Sequence, residues 1–419
     1  MVMGRLKDFA RRHWQKFGLG FGALGVVVAV LWWQLGEAHY VRMLREAPLS
    51  GRCERKLDRA TLKQSLSLMT RFLVKHQKPA GNFDYEYDHA TKTYSADDSD
   101  VRQAGALWGI SLLHRYQPSP ELQAAIEKGQ SFFEQNSRRA KGGRRCIAYP
   151  GEPNGGTGTV ALVALSYIEL LRSGPPGASD ETKAQLHKRL KEYLKQLIFA
   201  QREDGVWHSF IDERCNVSGE PNPYADGEAL LALAKARKYL GITDFDGPLV
   251  RAASGGRQRN IDDALKAHPD SDTTKGFYQW SSMAFYELVT SDLPDMQTYG
   301  DTLLRLADWM IDEHDTLWRT RNTGYAYEGI IHAYALAKQR GDQARVAKYG
   351  CVIDVGLNRL LAWQVGGPLG NSFVNRAKDD PAALGGVQNS VREAPLRIDV
   401  SQHQSHATLL ALEHVYTAQ

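Results

Sequence analysis

Tyr224-Ala225-Asp226-Gly227-Glu228-Ala229-Leu230-Leu231-Ala232-Leu233-Ala234 starts with a polar cluster and continues as an unbroken apolar run. A helix apolar on most of its sides is buried on most of its sides. The segment before it, Glu181 to Gln201, has the opposite character, with apolar residues at helical spacing and charges between them. Outward from this pair, breaks at Gly, Pro and Asp/Asn clusters predict helices near 55–77, 99–116, 120–138, 156–173, 180–201 and 224–240. Six more follow near 258–268, 275–290, 295–313, 323–340, 343–363 and 402–417. Amphipathic charged helices alternate with small-residue apolar ones. Six such pairs imply two concentric rings, an all-α (α/α)6 barrel. A helical solenoid is the rival, but the buried-type helices recur at irregular spacing, which suits a closed toroid better than a fixed-period array.

The chain has 419 residues with 42% hydrophobic and 24% charged, an ordinary globular composition. Its net charge of +4 is local. Residues 1–36 hold Arg5, Lys7, Arg11, Arg12 and Lys16 against Asp8; removing these from 52 basic and 48 acidic residues leaves 47 of each. No basic field remains to attract nucleic acid.

Residues 17–36 carry no charge, and at about 1.5 Å per residue they are long enough to span a bilayer core of about 30 Å. Preceding basic residues and Trp32-Trp33 at the far end predict a single-pass inner-membrane anchor. Residues 1–16 would then be a cytoplasmic basic segment, 37–54 a linker, and 55–419 a barrel in the periplasm. A cleaved signal peptide is the other reading, with Gly36-Glu37-Ala38 a poor cleavage site. Cys53, Cys146, Cys215 and Cys351 form no CxxC pair, which argues against zinc or redox motifs. An oxidising compartment permits two disulfides; Cys146–Cys215 is the favoured pair, with free thiols the alternative.

Two hairpin junctions share one form, Gln-x-x-x-Gly-x-aromatic: Gln77 to Phe83 and Gln201 to Trp207. The glycine suits the left-handed turn ending a helix, and the aromatic either covers the last turn or lines a cleft. With the paired helices, this resembles the six-hairpin superfamily, which includes glycoside hydrolases and uronate C5-epimerases, over about residue 55 to the end. The junction is also similar to a motif of triterpene cyclases. Fold alone does not fix activity.

In such a toroid the inner helices open their N-termini on one face, which favours anions there. That face collects Asp97, Asp98, Asp100 and Arg102, then Thr157 and Thr159, Asp226 and Glu228, Gln279 and Trp280, Tyr325, Tyr327 and Glu328. Arg397, Asp399, Gln402, His403 and His406 complete it. Tyr85, Trp207 and Tyr224 lie in adjoining loops, and acids beside aromatic platforms suit a carbohydrate cleft. The expected catalytic carboxylates are Glu228 with Asp100, Glu328 in reserve. Substrate contacts are expected from Tyr85, Asp98, Arg102, Trp207, Tyr224, Asp226, Tyr327, Arg397, Asp399 and His403. Helix capping accounts equally for the first aspartates, and ion pairing with Arg102 or Arg397 for the glutamates. Metal and cofactor are not expected: His403 and His406 lack further ligands. Asp97-Asp98-Ser99-Asp100 departs from the cyclase DDxxD pattern.

Three functions stay open. Glycoside hydrolysis needs an acid and a second carboxylate, whose separation sets the stereochemistry. Uronate epimerisation or elimination needs a base beside a neutralised carboxylate, with Tyr325, Tyr327, His403 and Arg397 as candidates. A non-catalytic glycan scaffold would bury its acids in salt bridges. Each predicts an envelope or exported polysaccharide as partner.

Overall fold

The computed structural model describes Cys53 and residues 55–152, 154–174 and 179–417. The basic segment, the apolar span and nearly all of the linker lie outside the described residues, and so does any test of the anchor. Among the described residues no helix is long and apolar enough to cross a membrane.

The helices are α1 (Arg59–Lys75), α2 (Asp100–Tyr116), α3 (Pro120–Gln135), α4 (Thr157–Ser173), α5 (Asp180–Ala200) and α6 (Pro223–Leu240). They continue as α7 (Asp246–Arg257), α8 (Ala264–Ala267), α9 (Asp272–Val289), α10 (Thr298–Asp312), α11 (Gly324–Arg340), α12 (Gln343–Leu361) and α13 (Ile398–His414). Helix α2 packs on α4, α4 on α6, α6 on α9, α9 on α11, α11 on α13, and α13 returns to α2. The inner ring is closed. Around it α3 covers α2, α5 covers α4, α7 covers α6, α10 covers α9, α12 covers α11, and α1 covers α13. This is the (α/α)6 barrel that the alternation of helix types predicts.

Burial follows the two sequence patterns. In α4 every residue from Thr157 to Leu170 is buried, because neighbours stand on both flanks and an outer helix behind. In α1 only one stripe is buried, including Leu62, Leu66, Met69 and Leu73, and the opposite face meets water. Local signals set several ends: Ser119 precedes Pro120 and its hydroxyl accepts from the Leu122 N–H, while Gly241 in the left-handed region closes α6.

Several boundaries differ from the sequence pattern by three residues or more. The helix expected at 258–268 starts at Asp246 and runs through a π-turn at Gln258–Asp263 into α8. Asp246-Gly247-Pro248 reads as a breaker, yet proline is harmless in a first turn whose N–H groups lack intrahelical partners. Helix α13 starts at Ile398 rather than 402.

The repeated junctions are one structural device. Gln77 pairs with Phe83 and Gln201 with Trp207 in single β-bridges. The Gln77 amide donates to Gly81 O and Ala125 O, and the Gln201 amide to Gly205 O and Pro248 O. Gly81 and Gly205 have φ of 108° and 92°, and a Cβ on either would lie 2.3 Å from a carbonyl of the next outer helix. The aromatics Phe83 and Trp207 are buried and cover the helix end; neither lines a cleft. Gln364 repeats the arrangement with a glycine far along the chain, its amide donating to Ser65 O and Gly385 O.

Short antiparallel strands shape the mouth. Strand β1 (Glu86–Asp88) pairs with β2 (Thr93–Tyr94) and with β8 (Pro395–Arg397), placing Glu86 opposite Arg397. Strand β3 (Ser137–Ala140) pairs with β4 (Arg144–Ile147). A second three-stranded sheet joins β5 (Asn154–Gly156), β6 (Phe210–Asp212) and β7 (Val217–Ser218). Cys146 is disulfide-bonded to Cys215 across these elements, as favoured from sequence, and no cysteine is free.

At the C-terminal ends of the inner helices the core holds ions instead of hydrocarbon. Lys235 Nζ lies 2.6 Å from Glu169 and 3.6 Å from Glu287, all three nearly or fully excluded from water. Arg115 and Arg172 complete the partners of Glu169, and Lys238 and the Tyr239 hydroxyl those of Glu287.

Candidate active site

One cavity of about 1000 Å³ opens among the N-terminal turns of all six inner helices. It collects Asp100 and Arg102 from α2, Gly158 and Thr159 from α4, and Tyr224 and Glu228 from α6. Lys275, Gln279 and Trp280 come from α9, Tyr325 from α11, and Asp399, Gln402 and His403 from α13. The shared hollow that parallel inner helices require is therefore present.

Glu228 is the least compensated acid in it. Its side chain is buried, and among the described residues neither a hydrogen bond nor a cation reaches its carboxyl. Burial, reinforced by the nearby Asp100 charge, pushes this carboxyl well above the usual range and so favours its protonated form. The space it occupies exists because residue 158 is glycine: a Cβ there would fall 1.9 Å from Glu228 Oε2. Asp100 is held differently. Its Oδ2 accepts from the Thr159 hydroxyl at 2.6 Å and from the Gly156 N–H at 3.2 Å, and its Oδ1 from the Val101 N–H at 2.7 Å.

Asp399 is spoken for. Arg397 grips it with two bonds of 3.0 and 2.8 Å, and Arg102 Nε adds a third contact at 3.2 Å. Arg102 also donates to the Tyr85 hydroxyl. The salt-bridged arrangement expected of a scaffold is thus found at Asp399, whereas the raised, unpaired acid expected of catalysis is found at Glu228.

Several sequence candidates have structural posts. Glu328 does not line the cavity; it is fully buried, with His403 Nδ1 at 3.1 Å and His406 Nδ1 at 3.2 Å from Oε1. Burial raises its carboxyl, but the two histidines outweigh this and hold it below the usual range; the same charge raises His403 against the opposing effect of burial. Glu328 is therefore a partner for histidines, and His403 carries its influence to the cavity wall. Asp226 is buried, accepts from the Trp207 N–H and Asn260 Nδ2, and is pushed up to about 6 by burial. It ties the α5–α6 junction and does not face the cavity. Trp207 donates to Leu197 O in the same packing. Asp98 accepts from Gln103 and from the Tyr149 hydroxyl beside α2. Tyr327 is buried against Gly356 of α12, and Tyr85 meets Arg102 from outside the wall. These five, expected as substrate contacts, do not line the cavity, and their contacts run to neighbouring helices and loops.

The structure also brings in residues the pattern missed. Phe210 is one; with Tyr224, an expected contact, it stands at the rim, 49% and 41% exposed respectively, the arrangement a sugar platform needs. Lys275, Arg319 and Arg321 line the α9–α11 side. Strand and loop residues such as Phe210, Arg319 and Arg321 belong to no helical period, so spacing does not flag them. Among the described residues no group of three or more His, Cys, Asp or Glu is arranged to hold a metal ion.

No family model and no curated protein matches the sequence. Solved structures do match in shape. A sugar epimerase from a ruminal bacterium is 12% identical, with a TM-score of 0.58 over 84% of this chain and 98% of that one. Cellobiose 2-epimerase from Bacillus thermoamylovorans is 10% identical with a TM-score of 0.58, over 84% and 98%. A family 76 α-mannanase from Bacteroides thetaiotaomicron is 10% identical with a TM-score of 0.54, over 84% and 94%. The chain has the (α/α)6-barrel fold of these hydrolases and epimerases, as its resemblance to the six-hairpin superfamily implies.

Proposed function

We propose that this protein is a glycan-active enzyme, and within that class a glycoside hydrolase. Glu228 would protonate the leaving oxygen and Asp100 would act on the sugar carbon, directly or through water. The observation that carries this reading is Glu228: a buried, unpartnered carboxyl, raised by burial, with the hydrogen-bonded Asp100 in the same open cavity. Two acids with environments this different can divide the roles of donor and second carboxylate. Phe210 and Tyr224 supply the platform at the rim.

One observation favours a second reading. His403 stands on the wall with Glu328 fixing its Nδ1, an arrangement able to move a proton at a sugar carbon, as an epimerase requires. Residues 17–36 would hold the barrel at the outer face of the inner membrane, and the Cys146–Cys215 disulfide agrees with an oxidising compartment such as the periplasm.

Envelope and exported polysaccharides incubated with wild type, Glu228→Gln, Asp100→Asn and His403→Asn test these readings. Hydrolysis predicts new reducing ends, lost with Glu228→Gln and Asp100→Asn. Solvent deuterium entering a sugar C–H bond, lost with His403→Asn alone, would replace hydrolysis by epimerisation. Binding without either product would leave only a scaffold.

A further inference from the structure

The polar side chains of the cavity divide by side. The carboxyls of Asp100 and Glu228 stand on the α2–α4–α6 side, whereas Lys275, Arg319 and Arg321, with Asp272 at the rim, stand on the α9–α11 side. Asp399 is already matched by Arg397 and Arg102, so that corner offers no free anion.

Lys275 is the informative residue of the cationic side. Among the described residues no carboxylate pairs with it. Its ammonium donates to the Tyr224 hydroxyl at 2.8 Å and lies 5.5 Å from the ring centres of both Tyr224 and Tyr325. Aromatic contacts of this kind hold a cation in place without neutralising it. Arg321 is largely exposed, with Glu393 only at 4.0 Å. Arg319 is tied to Asp270 at 3.1 Å and positions the loop that bears Arg321. Asp272 stands at the same rim but makes no ion pair with Lys275.

We propose that this side is a subsite for an anionic sugar: Lys275 and Arg321 bind the acidic group of a negatively charged glycan while the ring rests by Tyr224. The inference rests on the glycan-active reading and names its substrate class. Opposite charge across the cavity would also orient the sugar, turning its acidic group away from Asp100, where like charge repels.

The test is calorimetric titration of Glu228→Gln protein, in which turnover does not interfere, with an oligouronate, its carboxyl-reduced neutral counterpart and a sulfated oligosaccharide of the same length. The oligouronate binds at least tenfold more tightly than the reduced form, and the preference shrinks at 0.5 M salt as exposed charges are screened. Lys275→Met and Arg321→Met each weaken binding of the charged ligand about tenfold, the size of one charge-assisted contact, and leave the neutral ligand unchanged. Binding of the sulfated ligand in place of the uronate, with the same loss in both variants, would support the subsite and assign its group as an ester. Equal binding of charged and neutral ligands, or equal weakening of both by the variants, overturns the proposal. The two ideas fail separately: charge-selective binding by a protein that never turns over glycans refutes only the enzyme, and turnover of neutral glycans with no charge preference refutes only the subsite.

Discussion

Replacing Glu228 by glutamine should make the protein more stable as it makes it inactive, with a pH dependence fixed by linkage. In the unfolded chain a glutamate ionises near about 4.3. In the folded chain burial and the Asp100 charge keep Glu228 protonated to much higher pH. Between these two values the native state holds one proton more than the unfolded state. Unfolding free energy therefore falls as pH rises, by about 1.4 kcal/mol per pH unit from this site alone. The contribution is complete below the unfolded value and is gone once pH has passed the folded one. Glutamine has the same shape and no proton to lose, so its curve lacks this slope. Any cost of the unpaired amide is constant with pH and only offsets the curve. Urea denaturation at half-unit steps from pH 4.5 to 8.5 should show the variant gaining on wild type by about 1.4 kcal/mol per unit until the folded value is passed, then levelling off. The pH at which the gap stops growing reports the folded value for Glu228. If Glu228 is the proton donor, the basic limb of the wild-type pH–rate profile falls at that same pH, because the donor acts only while protonated, and the variant loses about 100- to 10,000-fold in kcat. Parallel stability curves would refute the claim that Glu228 is neutral. A levelling pH that disagrees with the rate profile would refute its role as donor.

Gly158→Ala puts a methyl 1.9 Å from Glu228 Oε2 and should displace the acid, lowering turnover about a hundredfold while the melting curve shifts little. Lys235→Met leaves Glu169 and Glu287 short of a partner in a buried site, and chemical denaturation at pH 7 should show a loss of about 3 kcal/mol. Lys235 and Lys238 overcome burial to hold Glu287 at about 2, so its contribution is present above about 4.3 and disappears as pH falls through about 2; the two curves should converge in acid. Paired serine substitution at Cys146 and Cys215 opens a loop with a sequence separation of 69 and should cost up to about 4 kcal/mol in non-reducing denaturation.

The ring was legible because burial leaves a mark on composition. Val160 to Leu165 carries no side chain that water would solvate, and only a helix enclosed on all sides tolerates that. Position on a first turn, however, does not say which way a side chain faces. Asp226 and Glu228 are two residues apart, about 200° around a helix, so one ties an outer junction and the other enters the cavity. The same turn separates Tyr327 from Tyr325, of which only the latter reaches the cavity. Glu328, expected as a reserve acid or as a partner of Arg102 or Arg397, is held instead by His403 and His406, supplied by a helix seventy-five residues away. The rim residues Phe210, Arg319 and Arg321 depend on how short strands and loops fold over the mouth, and no periodicity records that.

The ion cluster of Glu169, Lys235 and Glu287 ties together the closing turns of α4, α6 and α9, three neighbours in the inner ring, at the end of the barrel away from the cavity. A charge stranded there would loosen the floor of the barrel first, while the hydrogen bonds that hold Asp100 at the mouth share none of its members.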